Sequence, residues 1–391
     1  MAVSLPVYLD NHSTTRTDPR VLAEMLPYFD VEYGNAASTQ HAFGWKAGAA
    51  VAHARGQVAR LIGADESEIV FTSGATESIN LALKGIAAGF GYKGHVVTCV
   101  TEHKASLESC ATLERAGMAV TRIPVGQDGT FAIEELERVL RQETVLVSIM
   151  AANNEIGTIA PLEKIGALCR DRKILFHTDA AQGAGKFPID VTAMRIDLLS
   201  LTSHKMYGPK GVGALFVRRR DSRIPLVPQS EGGGHEHGYR SGTLNVPGIV
   251  GFGKAAEVAG TEMKDEQSRV ARLRSLLVDG IRQCIPDLRV NGGEANRLPG
   301  NANLMLPGVM ADQLMIEMKE VAVSAGSACS SSNPAPSHVL KSIGLTDEEA
   351  RSSIRFGIGR FNTEEEIRYT VERIRRFVLE NSPSIHQSAV S

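Results

Sequence analysis

Between residues 60 and 220 short apolar runs alternate with amphipathic ones, and this alternation constrains the fold of the 391-residue chain more than any other feature. The runs are EIVFT (68–72), HVVTCV (95–100), AVTRIPV (119–125), TVLVSIM (144–150), KILFHTD (173–179), IDLLSLT (196–202) and GALFVRR (213–219). Several are almost continuously apolar, as strands buried on both faces of a sheet must be. Helical patterns separate them at 77–90, 132–143 and 161–172. Such alternation predicts an α/β domain on a mostly parallel seven-stranded sheet flanked by helices.

After about residue 255 the pattern changes. A charged amphipathic helix is expected over 262–284, strand-like runs over 301–308 and 321–328, and two helices opened by capping boxes, Thr346 with Glu349 and Thr363 with Glu366. The expected division is a large α/β domain over 15–258 and a smaller α+β domain made of 1–14 and 259–391.

Charge narrows the partners. The net charge of −2 gives no electrostatic reason to expect nucleic acid or an anionic membrane surface. No apolar run reaches transmembrane length. The start, MAVSLPVYLDNHSTT, lacks the basic region and apolar core of a signal peptide. The five cysteines, Cys99, Cys110, Cys169, Cys284 and Cys329, are odd in number and widely spaced, forming neither a zinc pattern nor a disulfide framework. Reduced thiols in the cytoplasm are the expectation.

The chemistry gathers where strands end. In FTSGATES (71–78) a strand runs through a small-residue turn into a helix, whose first N–H groups suit a phosphate; an ordinary capped turn has the same pattern. Asp179 closes the strand in FHTDAAQ, where open α/β sheets bind ligands and where a carboxylate needs a partner such as a protonated ring nitrogen; a helix-capping role also fits. Lys205, in SLTSHKMYGPKG (200–211), also follows a strand, and a desolvated lysine is a nucleophile towards carbonyls. His103 in TEHKAS suits stacking on a flat cofactor and shuttling protons, or a structural role. Asn154 in NNEIG is placed to donate to a phenolic oxygen or a carboxylate, or to shape a plain turn. Consecutive strand ends thus carry groups suited to one flat, phosphate-bearing aldehyde, pyridoxal 5′-phosphate. Arg355, in the apolar stretch SIRFGIG, needs a carboxylate, either a substrate's or that of a structural ion pair. His235 and His237 in GGGHEHGYRSGT lack further ligands at fixed spacing, so no metal is expected. Cys329 lies among small and hydroxyl residues in SAGSACSSSNPAP, a setting that suits an exposed nucleophile and equally an inert loop cysteine.

FTSGATES, TEHKA, NNEIGT, HTDAAQ, SHKMYGPKG, GGGHEHGYRSGT, SAGSACSS and SSIRFGIGRF together resemble the cysteine desulfurases of the NifS/IscS type, class V of the fold-type I pyridoxal-phosphate aminotransferase superfamily. The likeness runs from YLDNHSTT (8–15) to residue 367. It implies that Lys205 carries the cofactor as a Schiff base, Asp179 pairs with the pyridinium nitrogen, Gln182 contacts the phenolic oxygen and His103 stacks on the ring. It implies phosphate contacts from Ala75, Thr76, Thr202 and His204, with Thr243 reaching in from the second subunit of a homodimer. Asn154 and Arg355 would hold the carboxylate of L-cysteine, and Cys329 would take its sulfur as a persulfide for an acceptor protein, in iron–sulfur cluster assembly or thiolation. A selenocysteine lyase, another class-V aminotransferase or β-lyase, and a sulfur carrier or scaffold with a vestigial site are the alternatives. Asn11, His12 and Ser13 depart from the family's commoner residues, and His12 is expected to add a pH-sensitive group at the mouth of the site. Many relatives carry a longer tail than AVS, with which they dock an iron–sulfur scaffold protein, and this departure leaves that particular partnership open.

Overall fold

A computed structural model describes residues 3–219, 224–294, 296–325 and 336–381. The chain enters through β1 (Val7–Tyr8) and the helices α1 (Pro19–Met25), α2 (Pro27–Asp30) and α3 (Ala42–Leu61). Then come β2 (Ile69–Thr72), α4 (Ala75–Gly89), β3 (His95–Cys99), α5 (Lys104–Arg115), β4 (Ala119–Ile123), α6 (Ile133–Val139), β5 (Thr144–Ser148), α7 (Leu162–Asp171), β6 (Leu175–Asp179), β7 (Leu198–Thr202) and β8 (Gly213–Val217). The remainder is α8 (Val246–Arg282), β9 (Arg289–Val290), β10 (Asn301–Met305), α9 (Ala311–Glu317), β11 (Val321–Ala322), α10 (His338–Ser342), α11 (Asp347–Arg351), β12 (Ser353–Gly357) and α12 (Glu364–Asn381).

The seven strands form one sheet in the order β2-β8-β7-β6-β5-β3-β4. Strand β8 is antiparallel to both neighbours, and the other pairs are parallel. Since β8 is reversed against both β2 and β7, those two point the same way. The carboxyl ends of β2, β3, β5, β6 and β7 therefore share one edge, the edge where open α/β sheets bind ligands.

Close approach at this edge depends on Gly213, the first residue of β8. A Cβ there would lie 2.5 Å from Leu201 O and 2.6 Å from Gly74 Cα. Both obstacles are backbone, so neither can swing aside. Gly213→Ala is expected to destabilise the protein by about 1–3 kcal/mol, read as a lower denaturant midpoint with an unchanged slope; an unchanged midpoint would contradict the close packing.

All seven strands lie where the apolar runs place them, and the capping box of Thr346 with Glu349 forms. Helix α8, however, begins at Val246 rather than Glu262. Its first half is glycine-rich, which hides the helical pattern, and packing explains the glycines. A Cβ at Gly251 would meet Met25 Sδ at 2.4 Å, and one at Gly253 would meet Ala54 Cα at 2.6 Å. Tertiary contact overrides the roughly 1 kcal/mol propensity cost of each glycine. That half, with Ile249 and Phe252, belongs to the apolar core under the sheet. The second half, with Val270, Leu273 and Leu277, joins a separate core with Val7, Leu9, Leu304, Phe356 and Ile374. We propose that these cores mark two domains, 15–258 and 1–14 with 259–391, joined through α8.

Candidate active site

A cavity of about 480 Å³ opens at the carboxyl edge of the sheet. Ala75, Thr76, His103, Asn154, Asp179, Gln182, Thr202, His204 and Lys205 all line it.

The turn from β2 into α4 forms one wall. Gly74 is the N-cap, at φ +154°, and among the described residues no side chain caps the helix. The first N–H groups of α4 are thus open to an anion. The turn itself is fixed from outside: Glu77 Oε2 accepts from Ser73 N–H at 2.7 Å, and Thr72 Oγ1 lies 2.7 Å from Ser78 Oγ. Arg240 Nε reaches Glu77 Oε1 at 2.8 Å, tying the 232–243 segment to the rim.

On the opposite wall His103 caps α5, its Nδ1 accepting from Ala105 N–H at 3.1 Å. In neutral His103 the hydrogen is therefore on Nε2. Burial lowers the pKa of this histidine, with Asp179 acting the other way and Lys205 adding to the fall. Glu102 braces the segment by accepting from Met150 N–H at 2.7 Å, and burial lifts its carboxyl well above the usual range. Asn153 Nδ2 donates to Thr101 O at 2.9 Å while its Oδ1 accepts from Glu155 N–H at 2.8 Å, which shapes the turn carrying Asn154.

Asp179 is 5% exposed, and its Oδ1 accepts from Ala181 N–H at 2.9 Å. Lys205 follows β7 in a short 3-10 turn. Burial depresses its pKa, Asp179 opposes that, and the Arg355 cation reinforces it. The turn is laced to the N-terminal segment: Thr15 N–H donates to His204 O at 2.9 Å and Tyr207 N–H to Thr15 Oγ1 at 2.8 Å. Tyr207 holds φ +65°, uncommon for a bulky residue. Lys186 Nζ lies 4.4 Å and the Arg360 guanidinium 4.2 Å from the centre of the Tyr207 ring. His204 Nδ1 lies 3.0 Å from Thr14 Oγ1, and burial, with Lys205 and Lys210, lowers its pKa to about 4.

Arg355, on β12, reaches the site from the other core. Its guanidinium donates to Asn154 O at 2.9 Å, Asp10 Oδ1 at 2.8 Å and Ser13 Oγ at 2.8 Å, and its buried Nε has no partner among the described residues. Asp10 and Ser13 are the functional neighbours that local pattern misses, since 345 residues separate Asp10 from Arg355. Thr243 is exposed and is not among the residues lining the cavity. Cys329 lies outside the described residues.

One expectation is overturned. His12 is not a pH-sensitive group at the mouth: it is 6% exposed, and its pKa is lowered to about 3. Burial is the main cause, and the Arg355 cation adds to it. His235 Nδ1 accepts from Gly242 N–H at 3.3 Å, and among the described residues no group of three or more His, Cys, Asp or Glu is placed to hold a metal.

Residues 7–369 match the family Aminotransferase class-V. Cysteine desulfurase IscS of Anaeromyxobacter dehalogenans (strain 2CP-C) is 54% identical over 379 residues, 96% of this chain and 94% of the relative. A solved NifS-like protein superposes with a TM-score of 0.89 at 37% identity, covering 96% of this chain and 99% of the other. The structure of SspA in complex with cysteine gives a TM-score of 0.80 at 37% identity, over 91% of this chain and all 100% of the other. With the strand-end lysine, aspartate and open helix terminus in one cleft, these likenesses make the chain a member of the class-V aminotransferase family, on its NifS/IscS branch.

Proposed function

We propose that the protein is a pyridoxal-phosphate-dependent cysteine desulfurase, converting L-cysteine to L-alanine and passing the sulfur to Cys329. The observation that carries this reading is the cleft itself, where Lys205, Asp179, His103 and the uncapped start of α4 converge. Pyridoxal 5′-phosphate is the cofactor of this family. The residues fit it: Lys205 offers a desolvated amine, Asp179 a carboxylate, and Ala75 and Thr76 the open helix terminus. When bound, the cofactor supplies an aldehyde that captures amines and a protonated ring that accepts an electron pair.

The chain's own residues do the rest. Asp179 keeps one oxygen for a ring N–H, because Ala181 occupies the other. Lys205 Nζ, its pKa depressed by burial, takes and returns the proton at the substrate α-carbon. His103 moves a proton through Nε2, its Nδ1 being engaged. Arg355 and Asn154 orient the substrate carboxylate. The Cys329 thiolate attacks the substrate sulfur and the C–S bond breaks towards carbon. Carbon then takes a proton, so L-cysteine and a thiol become L-alanine and a persulfide.

We further propose a homodimer. Leu26, Phe29, Tyr33 and Trp45 stand 55–65% exposed on neighbouring segments, an apolar surface that a second copy would cover. Exposed Thr243 then serves the partner's cleft. The free thiols Cys99, Cys110, Cys169 and Cys284 support a reducing, cytoplasmic setting. A sulfur-acceptor protein of iron–sulfur assembly or thiolation takes the product.

Purified protein mixed with L-cysteine and dithiothreitol tests this. A visible cofactor band that shifts, with sulfide and alanine formed in equal amounts, is the expected result. A band that shifts without sulfide would overturn desulfuration in favour of aminotransfer.

A further inference from the structure

His12 lies beneath the cleft with no part in the chemistry above, yet it is joined to Gln182 twice. Gln182 Nε2 donates to the backbone oxygen of His12 at 2.8 Å. A carbonyl only accepts, so this bond determines which end of the amide is nitrogen. Gln182 Oε1 then faces His12 Nδ1 at 3.1 Å. An amide oxygen also only accepts, so Nδ1 must carry the imidazole hydrogen. Gly357 makes room for the ring: a Cβ there would lie 3.0 Å from His12 Cδ2 and 2.9 Å from His12 N.

The opposite nitrogen, Nε2, is left as a buried acceptor with no protein partner among the described residues. His12 also lines a second, small cavity of about 20 Å³, with Asn11, Lys186, Glu266 and Gln267. This volume suits one water molecule, with these polar side chains on one part of the wall and Met263, Val270, Leu298 and Ile358 on the rest. Among the described residues the polar partners of Lys186 Nζ are distant, Tyr207 Oη at 3.4 Å and Glu266 Oε1 at 3.6 Å. An ammonium donor and an unpaired imidazole acceptor thus border the same water-sized space.

We propose that His12 is a positioning residue: its Nδ1–H locks the Gln182 amide so that the remaining N–H of Gln182 meets the cofactor's phenolic oxygen, while one buried water joins His12 Nε2 to Lys186. The proposal rests on the cofactor reading above. A reversed amide would set a carbonyl against that oxygen, where two acceptors repel. Because the ring stays neutral through the working pH range, the clamp does not loosen with pH. A donated N–H at the phenolic oxygen withdraws electron density and lowers the proton affinity of the nitrogen conjugated with it. Loss of the clamp raises that affinity.

Two readouts test the clamp in the holoenzyme. In ¹⁵N-histidine spectra, the signal lost in both His12→Phe and His12→Asn is expected to carry its hydrogen on Nδ1. It is also expected not to titrate between about pH 5 and pH 9. A hydrogen on Nε2, or a midpoint near about 6.5, would overturn the proposal. The visible cofactor band is then titrated. His12→Phe is expected to raise its midpoint by about half a pH unit, roughly threefold in proton affinity. His12→Asn keeps an N–H donor at the same place and is expected to restore the wild-type midpoint. Equal midpoints in all three proteins would overturn the proposal. Absence of any cofactor band in the wild type would sink the cofactor reading instead, and the histidine spectra would still decide the clamp.

Discussion

Lys205→Ala is expected to lower sulfide production on the order of 10³-fold or more, within the range attached to losing a positioned proton-transfer group together with a covalent attachment. Lys205 is the lysine whose amine the fold desolvates against Asp179 inside the cleft. Lys210 also lines the cavity, but beyond the strand end and on an exposed residue. Borohydride reduction separates the two. In the wild type it should fix the cofactor's mass on the peptide containing Lys205; in the variant it should fix none there, while phosphate contacts still retain the cofactor reversibly. Sulfide output within about tenfold of wild type would rule Lys205 out of the role.

Cys329→Ser is expected to leave the cofactor band and its response to L-cysteine intact and to remove sulfide production. Burial pushes the thiols of Cys99, Cys110 and Cys169 up to about 11, 12 and 12, so none of these supplies a thiolate near neutral pH. Cys284 is also raised, and its Sγ donates to Ile281 O at 3.1 Å within its own helix end. A serine hydroxyl in place of Cys329 stays protonated and cannot carry sulfane sulfur. The expected pattern is therefore binding without turnover, seen by recording the spectrum and sulfide in one sample. Sulfide that survives the substitution would move the nucleophile to another group.

The two variants probe residues that the sequence reveals to different degrees. Lys205, Asp179 and His103 were legible because each follows an apolar run read as a strand, and the strand-end rule then puts them on one edge. The helix start with Thr76 was legible from a small-residue turn before a helical pattern, whereas Ala75 was named by the family resemblance. Arg355 was recognisable only as a cation that needed a carboxylate. Its partners, Asp10 and Ser13, come from the opposite end of the chain. His12 was misplaced because a polar residue in a polar-looking stretch reads as exposed, whereas Gly357 and Gln182 draw it beneath the cleft. The first half of α8 and all of α3 escaped detection because their small residues lack the wide apolar stripe of a surface helix.

The order of the residues alone determines the seven strands of the main sheet, since burial and turn formation leave a local period that each segment carries by itself, while the family follows from the resemblance of motifs such as HTDAAQ and SHKMYGPKG. Only the tertiary structure decides that Thr15 pins the Lys205 turn, that Asp10 meets Arg355 and that His12 holds Gln182. These contacts join segments between about 170 and 345 residues apart. No local pattern specifies them: they follow from how the two cores close on each other around α8, through many weak packing terms that exist only once the chain is folded.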